Sequence, residues 1–373
     1  MGSITPYETV AGKRYRARYR KPDHSSTERR GFSTKKAAEL FLASIEVSKA
    51  RGEFVDATAS RSHIDVLGDE WLNNQSHLKP SSLRPIESAW RLHVQPFWGK
   101  RSVGSIRHSE VQGWVTELSK RKGATLVIRA FGILASILDV AVKDRRISSN
   151  AARGVNLPRK PHNKHVYLSH QQVQLLADNA GRHSTLLLFL SYTGLRWGEA
   201  TALRVRSLDT TRRRANVTEN AVSVGGPIIV GTPKSHEFRS VPYPEFLTDL
   251  LAKACAGKDQ DELVFGAGLV HVPLPDSRRG WRVSAVRKAQ AIDATFQRVT
   301  VHDLRHTAAS LAISAGANVK AVQKMLGHAS AAMTLDTYAD LFDDDLDAVG
   351  IALNQAKKVS DVGKPWANPE SLQ

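Results

Sequence analysis

Residues 13–20 read Lys-Arg-Tyr-Arg-Ala-Arg-Tyr-Arg, an unbroken alternation that only a strand with one wet face accommodates. Arg14, Arg16, Arg18 and Arg20 then line one side, and Tyr15, Ala17 and Tyr19 the other. Turn chemistry around Pro22 leads to a second short strand, Thr27–Phe32. Ser33 or Thr34 caps a helix whose positions Ala37, Leu40, Phe41, Ser44, Ile45 and Ser48 are expected to face the sheet, with Gly52 ending it. The chain therefore opens with a small sheet-plus-helix module that has a basic face. Such a face can be a solvated edge that discourages aggregation. A sheet of this size also fits the DNA major groove, where arginine reaches phosphates and guanine edges.

The period changes after the small polar residues 57–63, Ala-Thr-Ala-Ser-Arg-Ser-His, which read as a linker. Helical spacing follows, predicting helices at about 64–75, 82–94, 108–120 and 123–145, with apolar faces such as Val111, Trp114, Val115 and Leu118. Lys79, Arg84, Arg91, Lys100 and Arg101, with Lys120, Arg121 and Lys122, stud the helix ends and loops and are candidates for phosphate contacts. Pro158–His162 cannot continue the preceding helix and reads as a second linker. From Val166 onward the chain has helical patterns (Ser169–Ala180, Thr185–Tyr192), a strand-rich stretch from about 205 to 243, and helices again. The expected fold class is multidomain α+β. Its parts are a small three-stranded sheet plus helix over 1–58, a four-helix domain over 64–157, and a mainly α domain with a small antiparallel sheet over 165–373.

Charge narrows the partner. The chain has 53 Lys+Arg against 36 Asp+Glu, a formal net charge of +17 over 373 residues. The excess lies in the first 160 residues, with 12 cations against 7 anions over 1–60 and 17 against 8 over 61–160. A field of that sign without a lipid-facing stripe favours nucleic acid over a membrane surface. The longest aliphatic-aromatic run is Leu186–Leu190, and the first residues lack the apolar core of a secretory signal, so the expectation is a protein that works inside the cell. Cys255 is the only cysteine, which excludes an internal disulfide and a cysteine-based zinc site and leaves it as a small core residue.

Four stretches of the third segment carry chemistry: Thr193-Gly194-Leu195-Arg196-Trp197-Gly198-Glu199, Thr232-Pro233-Lys234-Ser235, His302-Asp303-Leu304-Arg305-His306-Thr307, and Leu326-Gly327-His328 with Tyr338 ten residues on. Together they hold two arginines, a lysine, histidines and a tyrosine, a set suited to a pentavalent phosphate. Arg196 and Glu199 stand one helical turn apart, as do His302 and Arg305, so two cation-bearing turns can converge on one anion. Gly327 fits a helix C-terminus that presents His328, and Tyr338 on the next helical pattern is expected to be partly exposed. Each element alone is weak: Arg196 with Glu199 is most simply a surface ion pair, and His302 with His306 has metal-ligand spacing but lacks the glutamate of a zinc-protease helix.

The order Arg, Lys, His-x-x-Arg, His, Tyr, with its flanking words Thr-Gly-Leu-Arg, His-Asp-Leu-Arg-His-Thr and Leu-Gly-His, resembles the catalytic domain of the tyrosine recombinases, or phage integrases, over about 165–345. The resemblance implies a role for each residue. Arg196 and Arg305 hold the scissile phosphate, and Glu199 orients Arg196. Lys234 protonates the departing 5′-hydroxyl; on the residues alone, nearby Arg239 could compete with it for the phosphate. His302 is the general acid/base paired with the nucleophile, and His328 donates a hydrogen bond to the phosphate. Tyr338 is the nucleophile that forms a 3′-phosphotyrosyl intermediate. That linkage conserves the bond energy, so neither metal nor cofactor is expected, and the chemistry is similar to that of type IB topoisomerases. Ala339-Asp340 stand after the tyrosine where many relatives carry a histidine two residues on.

The helical segment resembles the core-site-binding domain of this family, and the amino-terminal module resembles the arm-binding domain of bivalent phage integrases. The implied protein is a temperate-phage integrase that joins attachment sites as a DNA-bound homotetramer. Its implied partners are core-type and arm-type double-stranded DNA, a host DNA-bending factor and an excisionase. Its implied place of action is the bacterial cytoplasm, at the nucleoid. An integrase of an integrative conjugative element and a chromosome-dimer resolvase share the catalytic set; the amino-terminal module speaks against the resolvase. The tail carries Asp340, Asp343, Asp344, Asp345 and Asp347, then Leu346, Val349, Ile351 and Leu353, an apolar stretch that could dock on a neighbouring protomer or cap its own domain.

Overall fold

The alternating segment is the middle strand of its sheet. This is a computed structural model, and it describes residues 2–358 apart from 23, 52, 53, 57, 162–164, 233–237, 339–349 and 352. The chain divides into two compact units, Met1–His162 and Asn163–Gln373.

In the first unit β1 (Ser3–Thr9), β2 (Gly12–Arg20) and β3 (Ser26–Phe32) form an antiparallel sheet in the order β1-β2-β3. Burial follows the alternation, with Ala17 and Tyr19 buried and Arg18 and Arg20 exposed. β1 carries no period-two signal, because both of its faces are largely exposed. Helix α1 (Lys35–Ala50) starts at Thr34, whose Oγ1 accepts from the Ala37 N–H at 3.1 Å. Its inner face is rotated from the expected one: Ala38 is buried and Phe41 packs edge-on against Tyr19 at 5.6 Å, whereas Leu40 is 65% exposed and Ser44 is exposed. The aromatic contacts of Phe41 with Tyr19 and Phe32 fix that rotation.

The helical part of this unit comprises α2 (Ile64–Asn73), α3 (Pro80–Ala89), α4 (Gln95–Trp98), α5 (His108–Arg121) and α6 (Ala124–Lys143). Where one helix is expected over 82–94, a π turn at Trp90–Val94 joins α3 to α4. Pro96 lacks the N–H that would continue the ladder, and the Gln95 N–H reaches back to the Trp90 carbonyl instead. Gly68 on α2 makes room for Trp90: a Cβ there would stand 2.0 Å from the indole. By length and composition α6 is apolar enough to cross a bilayer. Here Val127, Ala130, Ile133, Leu134, Ile137, Leu138 and Ala141 of α6 fill the core against Trp90, Trp98 and Trp114.

The second unit begins with α7 (His170–Asp178), α8 (Ser184–Thr193) and α9 (Trp197–Thr201). The strand-rich stretch gives β4 (Leu208–Asp209), β5 (Arg214–Val217), β6 (Asn220–Ser223), β7 (Ile228–Gly231) and β8 (Arg239–Pro242), paired as β4-β5-β8 and β6-β7. Then follow α10 (Thr248–Cys255), α11 (Trp281–Ile292), α12 (Val301–Ser314), α13 (Val319–Leu326) and α14 (Ala331–Tyr338). The Leu186–Leu190 run is buried on every side as the central stave of this core, and Cys255 packs at its margin. A smaller cluster of Ala309, Ile313, Val322, Leu326 and Tyr338 ties α12, α13 and α14 together.

The ends of α8 and α13 meet at a glycine. Gly194 closes α8 with a left-handed φ of +64°, and a Cβ there would lie 2.6 Å from Leu326 Cδ2. Gly194→Ala is therefore expected to cost roughly 2–4 kcal/mol from backbone strain and overpacking combined. Chemical denaturation of the two proteins measures it, and an unchanged midpoint would show that the neighbouring helix yields.

Candidate active site

Helix ends place the cation-bearing turns. Beyond Gly194, Arg196 is the N-cap of α9 and not a residue within a helix. Glu199, one turn on, is 1% exposed and accepts from the Arg196 backbone N–H and from Arg196 Nη1, both at 2.9 Å. The same carboxylate accepts a two-pronged contact from Arg239 on β8, Nη1 at 3.0 Å and Nη2 at 2.6 Å. Arg239 Nε donates to the Met325 carbonyl at 3.2 Å, which holds the end of α13. The ion pair is thus a buried Arg–Glu–Arg triad and not a surface bridge. Burial alone would raise the Glu199 carboxyl, but Arg239 and then Arg196 hold it below the ordinary carboxylate range. Arg239, by its position in the sequence a candidate competitor for the phosphate, has its guanidinium engaged by Glu199 and Met325.

Arg305 lies in the first turns of α12, whose N-cap Thr300 accepts from the Asp303 N–H. It is 3% exposed and donates through Nη1 to the Gly194 carbonyl and through Nη2 to the Leu326 carbonyl, each at 2.6 Å. Burial and the neighbouring Arg196 bring its pKa down to about 10, so it stays cationic at neutral pH. His302, one turn earlier, is the exposed member of the motif.

Gly327 ends α13 with a left-handed φ of +66° and delivers His328, as its position in the sequence predicts. The His328 N–H donates to the Gln323 carbonyl at 3.1 Å, and the imidazole Nδ1 lies 3.0 Å from Thr334 Oγ1. Burial and the charges of Arg305, Arg196 and Arg239 push its pKa down to about 4. Tyr338 departs from expectation: it is 1% exposed. α14 folds back on α13, so the ring joins the small cluster under α12, and its hydroxyl meets His306 Nδ1 at 3.0 Å. Burial raises the phenol to about 12, with Arg305 opposing. The His328 ring lies nearly parallel to that of Tyr338, with centroids 6.4 Å apart.

The fold thus brings Arg196, Glu199, Arg305, His328 and Tyr338 around one locus, with His302 at its rim. Two fixed guanidiniums, a neutral imidazole and a phenol can bind an anion and stabilise added charge on it. Lys234 lies outside the described residues, as do Asp340, Asp343, Asp344, Asp345, Leu346, Asp347 and Val349 of the tail. Ile351 and Leu353 are described and exposed. Two contributors escaped the sequence reading. Arg239 looked like a competitor, because its buried partner Glu199 lies forty residues away and leaves no local signal. His306 was weighed only for metal spacing. In the first unit Lys79, Arg84, Arg91 and Lys100 are exposed, while Arg101 is half-buried and donates to Glu110 at 3.0 Å. Of the sheet arginines, Arg18 and Arg20 are exposed, and Arg14 and Arg16 are half-buried, with Arg16 3.9 Å from Glu28.

Comparison with known proteins follows the same geography. Residues 166–344 match the phage integrase family. The integrase of Mycobacterium phage D29 is 25% identical over 255 residues, covering 66% of this chain and 66% of that one, about two thirds of each. The Tn1549 transposon integrase in complex with transposon right end DNA superposes with a TM-score of 0.66 at 20% identity, covering 79% of this chain and 100% of that one. A lambda integrase tetramer bound to a Holliday junction gives 0.56 at 15% identity, over 87% and 95% of the two chains.

Removing Glu199 would leave Arg196 and Arg239 facing each other without a counter-charge, so Glu199→Ala is expected to destabilise the second unit by about 3–5 kcal/mol, as read from urea denaturation. The histidines predict a pH dependence. The folded pKa values of His306 and His328, about 4, lie below the unfolded value of 6.5. The unfolded chain then binds more protons between these limits, and stability falls as pH drops from about 6.5 to about 4. Thermal scans across that window check it, and His328→Asn should flatten the slope.

Proposed function

We propose, from the premise that this chain belongs to the phage integrase family of tyrosine recombinases, a family of DNA strand-transferring enzymes, that it is a temperate-phage integrase that cuts and rejoins attachment-site DNA through a 3′-phosphotyrosyl intermediate. The observation that carries the reading is the convergence of Arg196 and Arg305 beside Tyr338, each guanidinium held by hydrogen bonds to groups that are themselves buried or at helix ends.

In this reading Arg196 and Arg305 grip the non-bridging oxygens of the scissile phosphate. Tyr338 Oη attacks phosphorus as the bond to the 5′-oxygen breaks, Lys234 delivers a proton to that oxygen, and His302 serves as acid/base toward the nucleophile. His328, neutral at working pH, donates a hydrogen bond to the phosphate. Glu199 touches no reactant and acts by fixing Arg196. Each step exchanges one phosphodiester for another, so the reaction needs no energy source. Residues 64–157, with Lys79, Arg84, Arg91, Lys100 and Arg101, would grip core-type sites. Residues 1–58, with Arg14, Arg16, Arg18 and Arg20, would bind arm-type sites, so that one protein bridges bent DNA within a homotetramer. A host bending factor and an excisionase would then set direction, in the bacterial cytoplasm at the nucleoid. The likeness to a transposon integrase keeps a second source open, an integrative conjugative element, with the same chemistry on other ends.

Covalent trapping tests this directly. With EDTA present, protein incubated with nicked duplexes from the DNA flanking its gene should give a protein–DNA adduct on a denaturing gel. Tyr338→Phe should abolish the adduct and leave binding within about threefold; an adduct in that variant would place the nucleophile elsewhere. Affinity should fall steeply with salt as counterions are released, and removal of residues 1–60 should spare core-site binding while preventing full integration. A flat salt profile, or normal integration by the truncated protein, would refute those parts.

A further inference from the structure

His306 is a buried histidine for which the proposed mechanism has no use. It follows Arg305 on α12, is 7% exposed, and stands one turn beyond His302 on the same helix. Three rings surround it. His165 lies against it with centroids 4.0 Å apart, His302 meets it edge-on at 4.9 Å, and Tyr338 approaches at 5.7 Å. Among the described residues, His306 Nδ1 is the hydrogen-bond partner of Tyr338 Oη, at 3.0 Å.

The chemistry of the pair decides what this contact can do. Burial, with the neighbouring His165 and His302, holds the His306 pKa to about 4, so the ring is neutral at working pH and Nδ1 can act as an acceptor for the phenol proton. The phenol itself stands at about 12. Groups roughly eight pH units apart do not share a proton at rest, and an imidazole this weakly basic makes a poor proton sink. What it can do is direct the hydroxyl at rest, while the proton leaves to His302, the acid/base of the proposed mechanism, as the bond to phosphorus forms. A phenol has one torsion that aims its O–H, and one buried acceptor settles it.

We propose that His306 is a positioning residue for strand cleavage, aiming the Tyr338 hydroxyl through the Nδ1···Oη hydrogen bond so that its lone pairs face the phosphate held by Arg196 and Arg305. This rests on the reading of Tyr338 as the nucleophile. His165 and His302 keep the ring from turning, which makes the direction a property of the folded unit and not of the bound DNA. Misaiming an attacking atom typically costs up to about a hundredfold in rate.

The test uses the full chain and a nicked duplex from the DNA flanking its gene, at saturating concentration, with the rate of adduct formation measured beside DNA affinity. His306→Leu, which has no acceptor, should cleave roughly ten- to a hundredfold more slowly with affinity within about twofold. His306→Asn places a carboxamide where Nδ1 stands and should recover most of the rate, whereas His306→Gln reaches the Nε2 position and should not. A substrate with sulfur at the 5′-bridging position, which needs no proton on its leaving group, should leave the His306→Leu defect in place. Cleavage by His306→Leu at the wild-type rate or faster would show that the contact is a latch and overturn the proposal. Equal rates for the Asn and Gln variants would do the same, and that comparison decides the matter if the Leu variant loses DNA binding. So would rescue by the sulfur substrate, which would move His306 to the leaving group. Absence of any wild-type adduct, or an adduct in Tyr338→Phe, would instead defeat the reading of Tyr338 and this inference with it.

Discussion

The Glu199 carboxylate is the point on which the second unit turns. One buried anion receives Arg196 from the start of α9 and Arg239 from β8, and Arg239 in turn holds the Met325 carbonyl near the end of α13. Three elements far apart in sequence are thereby tied through a carboxylate that is itself fully buried. Such an arrangement adds little net stability over an apolar plug of the same volume. Its value is geometric: an arginine fixed at both ends of its contact does not reorganise when an anion arrives, and preorganised charge is what stabilises a transition state.

Arg305 completes the scheme by a different physical route. Two of its five donors go to backbone carbonyls at helix ends, Gly194 and Leu326, where unpaired acceptors are available by construction, and among the described residues the rest stay free for an anion. Both helix ends close on a glycine in the left-handed conformation, Gly194 and Gly327, so the local backbone geometry and the guanidinium geometry are one design. Burial first, and the neighbouring cationic groups second, keep the imidazoles of the locus neutral.

Much of this was legible in the sequence. The alternation in β2, the helical periods of α5 and α6 and the glycine turn before His328 follow from spacing; the grouping of Arg196, Arg305 and Tyr338 is what the resemblance of their flanking words to the tyrosine recombinases implies. What was not legible depended on partners remote in sequence. The burial of Tyr338 comes from the fold-back of α14 on α13. The role of Arg239 needs Glu199 forty residues away, and the rotation of α1 is set by aromatic contacts from two strands. The π turn at Trp90 interrupts the one helix that spacing predicts over 82–94, because the packing that selects it involves residues remote in sequence, such as Gly68.

The alternating strand is paired on both sides, to β1 and to β3. A strand held so cannot slip by one residue without exchanging its arginines for Tyr15, Ala17 and Tyr19 on the other face. Its cations therefore behave as the teeth of a comb, with a pitch of about 6.6–6.8 Å set by the rise of a strand. That is close to twice the roughly 3.4 Å axial rise per nucleotide along one strand of a duplex. Salt can weaken the charge on each tooth, but only loss of strand pairing can change the pitch.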